Sequence, residues 1–238
     1  MTRSERFEID LAATRKEVWE RLTTAEGLAS WFGTRAEIEL RVGGRRVVGW
    51  GDSVEMDGVI AEVEAGHKLR VVYLADGEET GAEEWLLSSD DVGVTRLTLI
   101  QSFRDDDIDD WDGCFGDIGR GWRLFLASLR HGLEQATQPT RVADCVYLPA
   151  PVKRELIWEL VGDAVAGSAV TAGLTTALEI APHSRLLVAP DRTLLLDAEG
   201  AADAQVLYVQ AATAGDGTDL ATWRHEALDL AASIIQNR

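Results

Sequence analysis

From Ala36 to Phe103 the apolar residues recur at nearly every second position, and glycine-bearing turns cut the run at intervals. A period of two puts alternate side chains on opposite faces, so it specifies strands with one face buried. Ile38, Leu40 and Val42 face one way; Glu37, Glu39 and Arg41 face the other. Gly43-Gly44, where a positive φ is expected, Gly66-His67 and Asp76-Gly77 supply the turns. The expected strands are 45–50, 58–64, 69–74, 83–87 and 95–103, which together make an antiparallel meander.

Helical signals flank this run. Phe7, Ile9 and Leu11 alternate with Glu8 and Asp10 as a half-buried strand. Thr14 with Glu17 three positions on forms a capping box, and Val18, Trp19 and Leu22 then fall on one helical face. Residues 23–27 close that helix. Leu28 and Trp31-Phe32 suggest a short second helix ending at Gly33. After the meander, Trp111, Phe115, Ile118, Trp122, Phe125, Leu126, Leu129 and Leu133 recur at steps of three and four, the stripe of a long amphipathic helix. Gly119 and Gly121 weaken it by about 1 kcal/mol each, which points to close packing or a bend. The class is therefore α+β. A sheet bent around one long helix can leave an apolar cavity between them.

The acidic run of Asp105, Asp106, Asp107, Asp109, Asp110 and Asp112 is not a calcium loop. Counted from Asp105, the sixth position is Asp110 where glycine is needed, and the twelfth is Gly116 where a bidentate Glu is needed. It reads as a solvated loop whose carboxylates favour a helix N-terminus.

The net charge is −18, and both halves are acidic: 16 Lys and Arg against 28 Asp and Glu in residues 1–138, then 7 against 13 in 139–238. Phosphate binding needs clustered Lys and Arg, so nucleic acid and anionic membranes are poor partners. No signal core and no apolar run of spanning length is present, and the expected location is the cytoplasm. Cys114 and Cys145 read as buried reduced thiols.

No phosphate loop, dinucleotide fingerprint, nucleophile elbow or zinc-protease motif occurs. His67, His131, His183 and His225 are isolated from one another and from other ligand residues, so neither a metal nor a cofactor is expected. Glu37, Arg46, Glu83 and Arg96 are the strand residues to consider for acid–base chemistry, and by alternation each is assigned to a solvated face. No catalytic set emerges. Eight tryptophans are the stronger clue. Trp19 and Trp158 read as core. Trp31, Phe32, Trp50, Trp85, Trp122 and Phe125 are the candidate ligand-binding residues, because large aromatics with a polar N–H line apolar pockets.

Val18-Trp19, Trp31-Phe32, Gly43-Gly44, Asp57-Gly58-Val59, the 64–69 turn and Gly121-Trp122 with Leu129 resemble, in order and spacing, the START-like (SRPBCC) superfamily. Within it the chain is similar to the activator of Hsp90 ATPase homologue-like proteins, over about residues 5–135. The resemblance implies a helix-grip fold with a cavity between sheet and C-terminal helix. Relatives bind lipids, sterols, polyketides or other apolar molecules, a few are cyclases or hydrolases, and many bacterial members have no assigned ligand.

The second half repeats the order in shorter form. Slid by 139 positions, Arg15, Trp19 and Glu20 fall on Arg154, Trp158 and Glu159, and Trp122-Arg123 matches Trp223-Arg224 at an offset of 101. Strands are expected at 174–180, 185–189, 193–197 and 206–211. The domains are set at 1–138, helix-grip, and 139–238, a truncated degenerate repeat or an unrelated α+β appendage. The leading function is binding a small hydrophobic molecule, lipid-like, polyketide-like or aromatic, for carriage, sequestration or sensing. The alternatives are a polyketide cyclase or hydrolase using the same cavity, and a co-chaperone-like interaction module. A homodimer is allowed; a separate protein partner has no support in the sequence.

Overall fold

The capping box expected at Thr14 is formed. Its hydroxyl accepts from the Glu17 amide, and the Glu17 carboxylate accepts from the Thr14 amide at 2.7 Å. In the computed structural model, residues 2–50, 54–91, 93–104, 111–135, 173–180, 184–190, 192–199 and 206–213 are described. The chain divides into two compact units: residues 1–112 with 129–136, and residues 113–128 with 137–238.

In the first unit β1 (Thr2–Leu11) leads to α1 (Arg15–Thr23) and α2 (Ala25–Ala29). Then follow β2 (Arg35–Ile38), β3 (Arg45–Trp50), β4 (Val54–Glu64), β5 (Lys68–Ala75), β6 (Glu78–Asp91) and β7 (Val94–Arg104). The sheet order is β1-β7-β6-β5-β4-β3-β2, antiparallel throughout. The meander thus runs from β2 to β7, and β1 returns beside the last strand. Helix α3 (Trp111–Glu134) follows in the chain, its residues 113–128 counted with the second unit. A large antiparallel sheet with a long helix after it is the α+β, helix-grip architecture the sequence implied.

Positive φ occurs where the turns demand it: Gly43 at 76°, Gly66 at 75°, and Asp76-Gly77 at 53° and 80°. The last pair has the left-handed signature of a two-residue hairpin loop. One face of the sheet is apolar. Leu69, Trp85, Leu99 and Phe7 form one cross-strand row on it, all buried. The other face carries ion pairs such as Arg35–Glu55, Arg45–Asp57, Arg70–Glu79 and Arg96–Asp10. Those charges keep that face in water.

Two expectations about local structure are corrected. Strand β2 stops at Ile38, and Leu40 and Val42 are 42 % and 62 % exposed instead of facing the core. A tight turn, Arg41 N–H to Glu39 O, breaks the alternation, and Gly43 N–H then bonds Ile60 O. The second helix begins at Ala25, not Leu28. Thr24 both ends α1 and caps α2 by accepting from the Gly27 amide, so Trp31-Phe32 lie beyond the helix.

The second unit holds an antiparallel sheet in the order β11-β10-β9-β8, with β8 (Thr175–Ile180), β9 (Ser184–Ala189), β10 (Arg192–Glu199) and β11 (Val206–Thr213). Each strand falls where the sequence put it. Leu186, Leu187, Leu194, Leu195 and Leu196 are buried. The segments around 146–161 and 223–234 that suggested a repeat, the 138/139 boundary, Asp105 to Asp110, Cys145, His183 and His225 lie outside the described residues.

Candidate functional site

Helix α2 ends at Ser30, whose amide and hydroxyl both donate to Gly27 O, so the chain turns sharply and carries Trp31-Phe32 inward. Gly33 permits that approach: a Cβ there would lie 2.5 Å from Val48 Cγ1 and 2.9 Å from Gly49 O. The Trp31 indole donates to Arg21 O at 3.0 Å, and the Trp50 indole donates to Phe32 O at 2.8 Å. Each ring is therefore fixed by its own N–H as well as by packing.

Four of the six candidate residues come together. Trp31 stacks on Phe32 with ring centres 5.2 Å apart. Trp31 meets Trp85 edge to face at 5.9 Å, and Phe32 meets Trp50 edge to face at 5.0 Å. All four are buried. Trp122 and Phe125, which belong to the second unit, form an edge-to-face pair at 6.2 Å; Trp122 is buried and Phe125 half-buried.

Against two of these rings, Phe32 and Trp85, lies a charge pair that alternation had assigned to solvent. Arg46 is 2 % exposed and Glu83 0 % exposed, and they pair at 2.8 Å. The assignment of Glu37 and Arg96 to a solvated face holds; that of Arg46 and Glu83 is overturned. The reason is phase. Glu83 shares its strand face with Trp85 and Leu87, and Arg46 shares its face with Val48 and Trp50, all buried. Both charges therefore lie on the apolar face.

Three donors converge on the Glu83 carboxylate. Arg46 Nη1 and the Trp85 indole donate to Oε2, the latter at 3.1 Å, and the Tyr73 hydroxyl donates to Oε1. Glu83 stands opposite Val71 on β5, which puts Tyr73, two residues further on, diagonally across the strand pair. Arg46 lies opposite Gly58. A Cβ at Gly58 would meet Val71 Cγ1 at 2.5 Å and Tyr73 Cε1 at 3.2 Å, so glycine leaves the space these side chains occupy. The Arg46 guanidinium also sits 5.6 Å over the Phe32 ring, a cation–π contact.

Burial works against the Arg46 charge, but Glu83 and Tyr73 outweigh it and hold the guanidinium protonated, its pKa above the ordinary arginine value. Burial, then the Glu83 charge, pushes the Tyr73 phenol well above its ordinary range, so it stays a donor. One donor is left over: Arg46 Nε–H is buried and has no acceptor among the described residues.

Tyr73 was not singled out from the sequence, nor was the pairing of Arg46 with Glu83. The signal that was present is a charged residue two positions before a buried Trp, in the same phase. In the second unit Ser184 donates to Asp197, both buried, with Arg120 Nε 3.9 Å from the same carboxylate. Among the described residues there is no metal-holding group of three or more His, Cys, Asp or Glu, and no helix is long and apolar enough to cross a membrane.

The family described as activator of Hsp90 ATPase homolog 1-like protein matches residues 12–134. No curated protein matches. Among solved structures, DynU16, a protein in the dynemicin biosynthetic locus, is 20 % identical and covers 98 % of this chain and 98 % of its own, with a TM-score of 0.48. Protein MLL2253 from Mesorhizobium loti is 19 % identical, covering 56 % of this chain and 98 % of its own, with a TM-score of 0.48. The Aha1 dimer from Colwellia psychrerythraea is 17 % identical, covering 56 % of this chain and 96 % of its own, with a TM-score of 0.47.

Proposed function

This chain belongs to the activator of Hsp90 ATPase homolog 1-like family, and on that premise we propose that its first unit binds a small apolar molecule against the rings of Trp31, Phe32, Trp50 and Trp85. Such a protein would carry, sequester or sense its ligand. The observation that carries the reading is the buried ion pair held against Phe32 and Trp85. A buried charge pair is seldom more stabilising than apolar residues of the same volume, so core stability is a weak reason for Arg46 and Glu83 to be there. Recognition is a better one, since ligand sites are apolar walls with a few fixed polar groups. The fold commonly serves hydrophobic ligands. The rings touch one another, so the ligand takes its room by turning them. In the second unit, the Trp122–Phe125 pair offers an aromatic surface of the same kind.

The network favours binding over catalysis. Glu83 already accepts from three donors and is poorly placed to take a proton from a substrate, and Tyr73 is committed to Glu83. A co-chaperone-like role through an exposed apolar patch has less support. Leu40, Val42 and Val94 lie at one end of the strands and Val54 and Leu74 at the other, so they do not make one patch.

Native mass spectrometry with the uncharged probe N-phenyl-1-naphthylamine tests the reading. One probe per chain, lost on denaturation, is the expected result. No adduct up to the probe's solubility limit would refute it.

A further inference from the structure

The hydrogen-bonding inventory of the buried network restricts the chemistry of the ligand. This step rests on the binding reading above. Arg46, Glu83, Tyr73 and Trp85 form one connected polar set, and it leaves one buried donor unpaired. Glu83 Oε2 accepts from Arg46 and Trp85, and Oε1 accepts from Tyr73. Tyr73 and the Trp85 indole spend their protons on that carboxylate. Arg46 Nε–H is a buried donor with no acceptor among the described residues, in a side chain 2 % exposed and lying over the Phe32 ring. A buried donor without an acceptor carries a desolvation cost that an incoming acceptor would remove. The proton of a ligand hydroxyl or amine would compete with the three donors already on the Glu83 carboxylate.

Charge narrows the class further. Arg46 and Glu83 neutralise each other at 2.8 Å. A ligand carboxylate or phosphate would add an uncompensated negative charge among four buried rings, which is strongly unfavourable. A neutral carbonyl oxygen brings the acceptor without the charge. We propose that the site selects flat apolar molecules carrying a neutral carbonyl acceptor, an aryl ketone, quinone or ester, with Arg46 Nε–H as the hydrogen-bond donor that orients it.

The test displaces N-phenyl-1-naphthylamine with three compounds of one shape: 2-acetylnaphthalene, 2-ethylnaphthalene and 2-naphthoate. Each is measured on the wild-type chain and on the double variant Arg46→Met, Glu83→Gln, which removes both charges together. In the wild type the ketone is expected to outcompete the carboxylate. Its affinity relative to the hydrocarbon should fall about tenfold in the double variant, the value of a hydrogen bond to a charged group. An unchanged ratio, or a carboxylate that binds more tightly than the ketone, overturns the carbonyl proposal while leaving the binding site intact. If neither the probe nor any of the three binds the wild type, the binding reading itself fails. If the double variant does not fold, the infrared carbonyl stretch of the ketone bound to wild type decides. A shift to lower frequency than in hydrocarbon solvent supports the bond to Arg46, and no shift overturns it.

Discussion

Replacing Arg46 by methionine should reveal the network's energetics, because Glu83 would keep its place and lose its counter-charge. Both partners are essentially fully buried and pair at 2.8 Å. Removing one partner of such a pair strands the other and costs about 3–5 kcal/mol. Hydrogen bonds from Tyr73 and the Trp85 indole to Glu83 remain and hold the loss near the lower end, about 3 kcal/mol. Changing both residues, Arg46→Met with Glu83→Gln, removes the charge and keeps the shape, and should stay within about 1 kcal/mol of wild type. The assay is urea unfolding at neutral pH, followed by tryptophan fluorescence. With a slope of about 1.5–2 kcal/mol/M, usual for a domain of this size, the single variant lowers the midpoint by about 1.5–2 M. The double variant recovers most of that. A single variant costing less than about 1 kcal/mol, or a double variant as unstable as the single, would refute a buried and mutually compensating pair.

Three further outcomes follow from local geometry. Gly58→Ala should lose about 1–3 kcal/mol in the same unfolding assay, since its Cβ would stand 2.5 Å from Val71 Cγ1 in a packed sheet. Gly132→Ala should gain up to about 1 kcal/mol, because a Cβ there meets nothing within 4 Å and alanine is the better helix former. The hydroxyl and then the amide of Thr14 lower the Glu17 pKa, so the capping box stabilises the fold above the ordinary glutamate value. That contribution is lost as pH falls through the depressed pKa. Side-chain NMR titration should find the Glu17 value raised toward normal in Thr14→Ala, and no change would contradict the box.

Local signals were legible where one residue decides the geometry. Thr14 with Glu17 fixed the start of α1, Gly43, Gly66 and Asp76-Gly77 fixed turns, and strand β3 begins and ends where the alternation put it. Strand ends were read too short on β4 and β6, because Glu55 and Asp57, and Glu78, Glu79 and Thr80, interrupt the apolar pattern while the ladder continues through them. Leu40 and Val42 misled for the opposite reason: their alternation persists through a turn that backbone bonds, not side chains, dictate. Four aromatic members of the site were visible as residue types. The network between them was not, since Arg46 and Glu83 are 37 positions apart and meet only after β3, β4, β5 and β6 are in register. A charge on an apolar face reads as solvated until the sheet supplies its partner.

The most direct test of the account is the indole N–H spectrum of the 15N-labelled chain, with its eight tryptophans assigned by single Trp→Phe variants. The indoles of Trp31, Trp50 and Trp85 bond to Arg21 O, Phe32 O and Glu83 and lie in one cluster. 2-Acetylnaphthalene is expected to shift these three signals together and saturably while Trp19, half-buried on α1, stays in place. If the three signals stay fixed while others move, or none moves up to the solubility limit, the aromatic cluster is core and not a binding site.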